Sequence, residues 1–400
     1  MQLALPAGLL DKIFMKYITI ITALILLSCN QNKYEWALKY GHGKAYSTPN
    51  QILSDFDSYY VLGANLKNKG ESPYVLVKLS LEGEVLWELS ANDYLESNNL
   101  NGGDFKQIVQ TNTGKLFIIG TQTDQNKVSA AYLIRVSKDG KIEDKLSVDE
   151  LSSFNLAQPL NGTIVVLSGY ITEDTPTLLF YDENLNKQKE KQISFKGDGN
   201  TSNNLMKVHD DNIYLVQSRV STYSGVSSIN VKKLNSNGEI VWDKFFYEDD
   251  FENIKAKAGL TYNFVAGILH FSDNKMYVIG TNLNRPYSHF FSIDITSGEL
   301  VSENLTIADL NSMRNCSESN VLLVKSPSKI MSDGKISKTV FTAIDKNSNE
   351  VCYCIMQNMD FPISDFYFNN NDSIFAGYEK LKDYKSKWKI VKLQQDLSNK

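Results

Sequence analysis

"YVLVKLSLEGEVLWELS", residues 74–90, decides the fold. Two runs rich in branched and aromatic residues, 74–80 and 85–90, flank the tetrapeptide "LEGE". Period-two alternation broken by a glycine-bearing turn is the signal of a β-hairpin. The same design returns at residues 229–246, where "INVKKLN", "SNGE" and "IVWDKFF" follow one another.

Working outward, each hairpin follows an apolar strand that ends in a small residue. Seven such strands occur: "YYVLGA", "LFIIGT", "VVLSGY", "YLVQSR", "YVIGTN", "LLVKSP" and "SIFAGY". With Gly63, Gly120, Gly169, Ser218, Gly280, Ser326 and Gly377 as anchors, the spacings are 57, 49, 49, 62, 46 and 51. A repeat near fifty residues, with four short strands in each unit, reads as an all-β fold, a β-propeller. Seven blades fit the repeats, with eight as the alternative. The last repeat lacks a fourth strand, and "YEWALKYG" at 34–41 resembles the fourth strands elsewhere. The amino-terminal strand is therefore expected to complete the last blade and close the ring, which removes exposed sheet edges.

Trp87 and Trp242 lie four residues after Gly83 and Gly238; Tyr353, Asp144 and Glu190 hold the equivalent places in other repeats. Aromatics there are expected to pack between neighbouring blades. The "GEVLW" and "GEIVW" strings resemble the repeats of quinoprotein-type propellers, including the lipoprotein propeller of the outer-membrane β-barrel assembly machine. The resemblance implies a fold. A pyrroloquinoline quinone dehydrogenase would show adjacent cysteines and an acidic metal cluster, whereas Tyr353 separates Cys352 from Cys354, so no cofactor is expected.

The amino terminus supplies an address. Lys16 precedes an apolar run from Tyr17 to Leu27, too short to span a ~30 Å hydrocarbon core. Met15 is a candidate translation start. Leu26, Leu27, Ser28 and Cys29 resemble the lipobox of bacterial lipoprotein precursors. That resemblance implies a signal peptide over 1–28, a lipidated Cys29 with a tether over 29–33, and a propeller over 34–400. The membrane is then a partner through Cys29. The expected location is the outer membrane facing the periplasm, with the cell surface as the alternative.

Formal net charge is −5, and losing residues 1–28 makes it one unit more negative, which argues against a nucleic-acid partner. Cys316, Cys352 and Cys354 remain after lipidation and are read as buried thiols; their spacing matches structural zinc poorly, so no metal is expected.

Turns joining the first strand to the second, and the third to the fourth, are short. The other connections are long and irregular, notably residues 91–104, 218–228, 247–263 and 325–337. Long loops on a rigid scaffold carry binding. The candidate binding face is therefore the loop face, with Tyr94, Tyr223, Tyr247, Phe251, Tyr262 and Tyr287 as aromatics and Asp249, Asp250 and Glu252 as an acidic cluster. His42, His209, His270 and His289 fall in different repeats, His209 and His270 near ends of innermost strands and so within reach of the central channel. No nucleophile motif, phosphate loop or H-E-x-x-H string appears. No catalytic residue is assigned. Two functions remain: a non-catalytic binder or scaffold for another envelope protein or a glycan, and an envelope enzyme acting on a polysaccharide or small metabolite above the central channel.

Overall fold

The computed structural model describes residues 34–41, 47–65, 72–93, 102–123, 129–148, 154–168, 175–195, 200–220, 227–247, 250, 264–282, 288–306, 312–315, 321–325, 340–345, 351–355, 363–368, 373–381 and 385–393. The segment carrying Cys29 lies outside them. Among the described residues no helix is long and apolar enough to cross a membrane.

The first strand is β1 (Tyr34–Tyr40). The first blade follows as β2 (Ser47–Ser54), β3 (Ser58–Asn65), β4 (Tyr74–Ser80) and β5 (Val85–Ser90), and the second as β6 (Gly102–Gln110), β7 (Leu116–Thr123), β8 (Ser129–Val136) and β9 (Ile142–Val148). The third holds β10 (Phe154–Leu160), β11 (Thr163–Ser168), β12 (Thr177–Asp182) and β13 (Lys187–Gln192). The fourth holds β14 (Asn200–His209), β15 (Asn212–Val220), β16 (Ser227–Leu234) and β17 (Ile240–Tyr247). The fifth holds β18 (Phe264–Ser272), β19 (Lys275–Asn282), β20 (Ser288–Asp294) and β21 (Leu300–Thr306). Then come β22 (Ser312–Asn315), β23 (Val321–Lys325), β24 (Val340–Asp345) and β25 (Val351–Ile355), and finally β26 (Ile363–Phe368), β27 (Ser373–Lys380) and β28 (Ser386–Leu393).

Among the described residues these strands pair into seven four-stranded antiparallel sheets, and β1 joins the last in the order β1-β28-β27-β26. The innermost strands β2, β6, β10, β14, β18, β22 and β26 neighbour one another in turn, and β26 returns to β2. The fold is a β-propeller.

Why the anchor residues are small follows from the register. The innermost strand bulges opposite or beside the anchor: after Pro49 facing Gly63, after Phe105 facing Gly120, after Ala266 facing Gly280 and after Ile363 facing Gly377. A Cβ at Gly120 would collide with the Asp104 carbonyl and the Tyr132 hydroxyl, and one at Gly63 with the Thr48 carbonyl. Only a minimal side chain leaves room for the bulge and for the aromatic crossing it.

Turns between the first and second strands include three with both central residues at positive φ: Asn161–Gly162, Asp210–Asp211 and Asp273–Asn274. This is the type I′ geometry that matches strand twist. Turns between the third and fourth strands place a left-handed residue last: Gly83, Gly140, Gly238 and Gly298, with Leu185 (φ 63°) in the third blade.

Apolar side chains fill the spaces between blades. Leu62, Leu76, Phe105, Ile118 and Ile134 pack between the first two, and Tyr59, Val77, Ile374, Trp388 and Ile390 between the last and the first. Outside this core a latch repeats. Trp36 Nε1 donates to the Leu81 carbonyl at 2.8 Å, Trp87 Nε1 to Lys138 at 2.7 Å and Trp242 Nε1 to Ile295 at 3.2 Å. Each indole lies on the turn glycine of the next blade, where an added Cβ would approach Trp36 to 2.5 Å, Trp87 to 2.7 Å and Trp242 to 3.0 Å.

Where no tryptophan is present, a long cation reaches across. The third blade has the same bulge as its neighbours, and Lys189 opposes Phe180 as Trp87 opposes Lys78 and Trp242 opposes Lys233; Lys189, four residues after the left-handed Leu185, and not Glu190, is therefore the equivalent position. Lys189 Nζ donates to the Ser236 carbonyl at 3.2 Å. From the second blade Arg135 Nη1 donates to the Glu183 carbonyl at 2.7 Å.

Candidate functional site

Strand direction divides the ring into two faces. Each innermost strand runs from the loop face to the short-turn face, the second returns, the third repeats the first, and the outermost strand ends on the loop face. Tyr34 opposes Leu393, the last residue of β28, so β1 starts on the short-turn face and Tyr40 ends on the loop face.

On the short-turn face the first two blades enclose a pocket of about 790 Å³. The β2–β3 turn contributes Ser54, Asp55 and Phe56; the β6–β7 turn contributes Gln110, Thr111, Asn112, Thr113 and Gly114. Leu81 and Lys138, whose carbonyls accept the Trp36 and Trp87 latches, supply the outer wall, and Tyr367 of β26 closes the inner side. The pocket is thus built by the same turns that hold adjacent blades together.

Its polar groups are held by local bonds. The Phe56 amide donates to Asp55 Oδ1 at 2.7 Å, and the Thr111 and Thr113 hydroxyls are 2.9 Å apart. Thr113 Oγ1 also donates to Glu183 Oε1 of the third blade, and Lys115 pairs with that carboxylate at 3.0 Å. These contacts hold the Glu183 carboxyl below its usual range, against the opposing effect of desolvation, which is the largest influence on it. Gln110 Nε2 is buried without a hydrogen-bond partner. Side-chain carboxylate and ammonium in the lining come from Asp55 and Lys138, and the lining holds neither histidine nor cysteine. Such a wall can donate and accept hydrogen bonds to a neutral polar ligand; it does not assemble a nucleophile with a base.

Cys29, read as the lipidation site, lies outside the described residues, as do Tyr94, Tyr223, Asp249, Phe251, Glu252, Tyr262 and Tyr287 of those expected on the loop face. Tyr247 ends β17 opposite Ser228, on the loop face, and Asp250 is exposed just beyond it. At another junction on the same face, Tyr40 donates to Glu88 Oε2 between the last and first blades. Burial first, then the hydrogen bond to Glu88 and that carboxylate's charge, push this phenol well above its usual range.

His209, expected near the channel, stacks on Phe271 with ring centroids 4.5 Å apart and lies 3.3 Å from Asp210, a packing role between the fourth and fifth blades. Cys352 and Cys354 belong to β25. The short-turn pocket was missed because loop length was the guide; the available signal was an aromatic, Phe56, set between two aspartates in a three-residue turn.

No family model matches the chain, and no curated protein matches its sequence. Among solved structures it is similar to a prolyl endopeptidase at TM-score 0.53 and 12% identity, covering 84% of this chain and 45% of that one. The dihydro-heme d1 dehydrogenase NirN follows at TM-score 0.50 and 13% identity, covering 88% and 67%. The Dos1 propeller gives TM-score 0.49 and 12% identity over 86% and 78%. At such identities the likeness is one of fold alone.

Proposed function

We propose that this protein is a lipid-anchored β-propeller of the bacterial cell envelope, tethered through Cys29 to the outer membrane and facing the periplasm. It works as a non-catalytic binding or scaffold protein that offers its loop face to another envelope protein or a glycan. The observation supporting this is the direction of β1: Tyr34 starts on the short-turn face, so a tether ending there leaves the loop face pointing away from the anchor. Exposed Asp250 and the end of β17 lie on that outward side.

The test is crosslinking in native cells, followed by purification of the lipoprotein beside a variant with residues 247–263 shortened. A specific partner captured by the intact chain and lost from the variant supports the reading. Equal capture by both chains counts against the loop face.

One observation favours a second reading, a small-molecule site: the short-turn pocket falls within the volume range of ligand pockets. A neutral, hydroxyl-rich ligand suits its threonine, serine and amide lining. Thermal-shift screening of neutral saccharides against the parent and Asn112→Ala separates the two readings, because a loop-face binder is indifferent to that substitution.

A further inference from the structure

Among the described residues, the large apolar side chains left in solvent are Phe56, Val85, Leu86, Ile240, Val241 and Val301. Phe56 is fully exposed, at 101%. All six occupy one end of the fold. Phe56 sits in the β2–β3 turn; Val85 and Leu86 open β5, Ile240 and Val241 open β17, and Val301 is the second residue of β21. Outermost strands begin on the short-turn face, so each aliphatic lies within two residues of a turn on that face.

Their arrangement around the ring matters. The first blade stands across the ring from the fourth and fifth, so the contacts spread over opposite sides of the face and one projection, Phe56, lies nearer the axis. A flat partner can touch all of them together.

The turns that carry these side chains are acidic: Asp55 and Asp57 flank Phe56, Glu82 and Glu84 precede Val85, Glu239 precedes Ile240 and Glu299 stands two residues before Val301. Apolar contact is therefore the available attraction, and it acts against charge at an anionic surface. The chain itself identifies the partner. Cys29 is five residues before Tyr34, and five extended residues reach only ~17 Å. Tyr34 is on this face.

We propose that the short-turn face is a bilayer-contact surface, with Phe56 and the aliphatic openings of β5, β17 and β21 entering the interface of a phospholipid membrane. This rests on the reading of Cys29 as the lipid anchor. The lipid anchor holds the chain to the bilayer at one end but leaves the propeller free to tilt, and interfacial side chains enter ~5–10 Å into the headgroup boundary. The surface therefore sets orientation: the propeller lies with its axis along the membrane normal, loops outward.

The test uses the full lipidated chain in phosphatidylethanolamine–phosphatidylglycerol vesicles doped with brominated phosphatidylcholine, which quenches tryptophan on contact. Two variants, Phe56→Trp and Asp250→Trp, each add one indole to the parent background. The expected result is quenching of the indole added at position 56 and none of that added at 250. No quenching at 56 while the protein floats with the vesicles, or quenching at 250 alone, overturns the proposal.

Intact mass of the Cys29 peptide reports separately on the anchor. If it carries no acyl group, the anchor reading fails, and the unacylated chain added to the same vesicles decides the face. Partition that falls about tenfold with Phe56→Ser sustains the contact surface; partition unchanged by it, or absent from the parent, overturns it.

Discussion

Single residues carry more of this fold than their size suggests, and glycine shows why. Gly114 and Gly140 both adopt φ of +81°, yet an added Cβ meets nothing within 4 Å at Gly114 and comes within 2.7 Å of Trp87 at Gly140. Gly114→Ala should therefore cost only the left-handed backbone penalty, about 1–2 kcal/mol. Gly140→Ala adds displacement of an indole and should cost clearly more, with urea denaturation of the two variants as the measurement. Tyr214 is the opposite case. It is fully buried and its hydroxyl has no hydrogen-bond partner. Tyr214→Phe should stabilise the protein by about 1 kcal/mol at neutral pH, because it removes an unsatisfied polar atom. Burial, then the Asp210 charge, push the Tyr214 phenol up to about 12 from 10.0. A raised folded value means that the stability linked to the protonated phenol is whole below pH 10 and is lost as pH climbs toward 12. The alkaline limb of the parent's stability profile should be shallower in Tyr214→Phe; identical limbs would contradict the assignment.

Adjacent blades are joined by the latch as well as by the apolar side chains packed between them. Removing the Trp87 side chain takes away both an indole on Gly140 and a hydrogen bond to Lys138. Trp87→Ala should cost about 3–5 kcal/mol, whereas Trp87→Phe, which keeps a ring on the glycine, should cost about 1 kcal/mol. Arg135→Ala, at the junction served by a cation, should fall near 1–2 kcal/mol, since its bond to the Glu183 carbonyl is charge-assisted but partly solvated. Thermal unfolding of the three variants orders them. The same junctions show what could be read in advance. Glycine four residues before an aromatic is a local pattern, so the Trp87 and Trp242 contacts were legible. Lys189 was not, because the left-handed residue of its turn is Leu185 in place of a glycine, so the sequence offers no glycine to count from and a count begun one residue late leads to Glu190. Phe56 escaped for a different reason: whether an aromatic in a turn of three residues is covered or left in solvent depends on what neighbouring turns provide, and spacing along the chain contains no record of that.

At the scale of the whole molecule, repetition made the architecture visible and closure made it stable. Small anchors recur at Gly63, Gly120, Gly280 and Gly377 because the innermost strand facing each of them needs room for its bulge, which helps a period near fifty to be followed through repeats that share few identical residues. The candidate site had no such periodic marker, since a pocket belongs to two blades and a ligand face to the ring. Closure rests on β1, whose Trp36 latches onto Leu81 and Gly83 of the first blade while its backbone pairs with β28. Deleting residues 34–40 should unmask the β28 edge and the Tyr59 and Trp388 core together, converting a monomeric elution profile into self-associated species. A monomer of unchanged melting behaviour would show that closure does not depend on this strand.

Pairing of Tyr34 with Leu393 also imposes a timetable. The first strand to leave the ribosome waits for a partner about 360 residues downstream, roughly 20–70 s at ordinary rates of synthesis. During that interval the nascent chain carries an unmatched strand edge next to the very residue at which it is expected to be processed. Completion of the ring therefore waits for the last strand made, and any holding factor for this protein must act on its oldest strand until its youngest arrives.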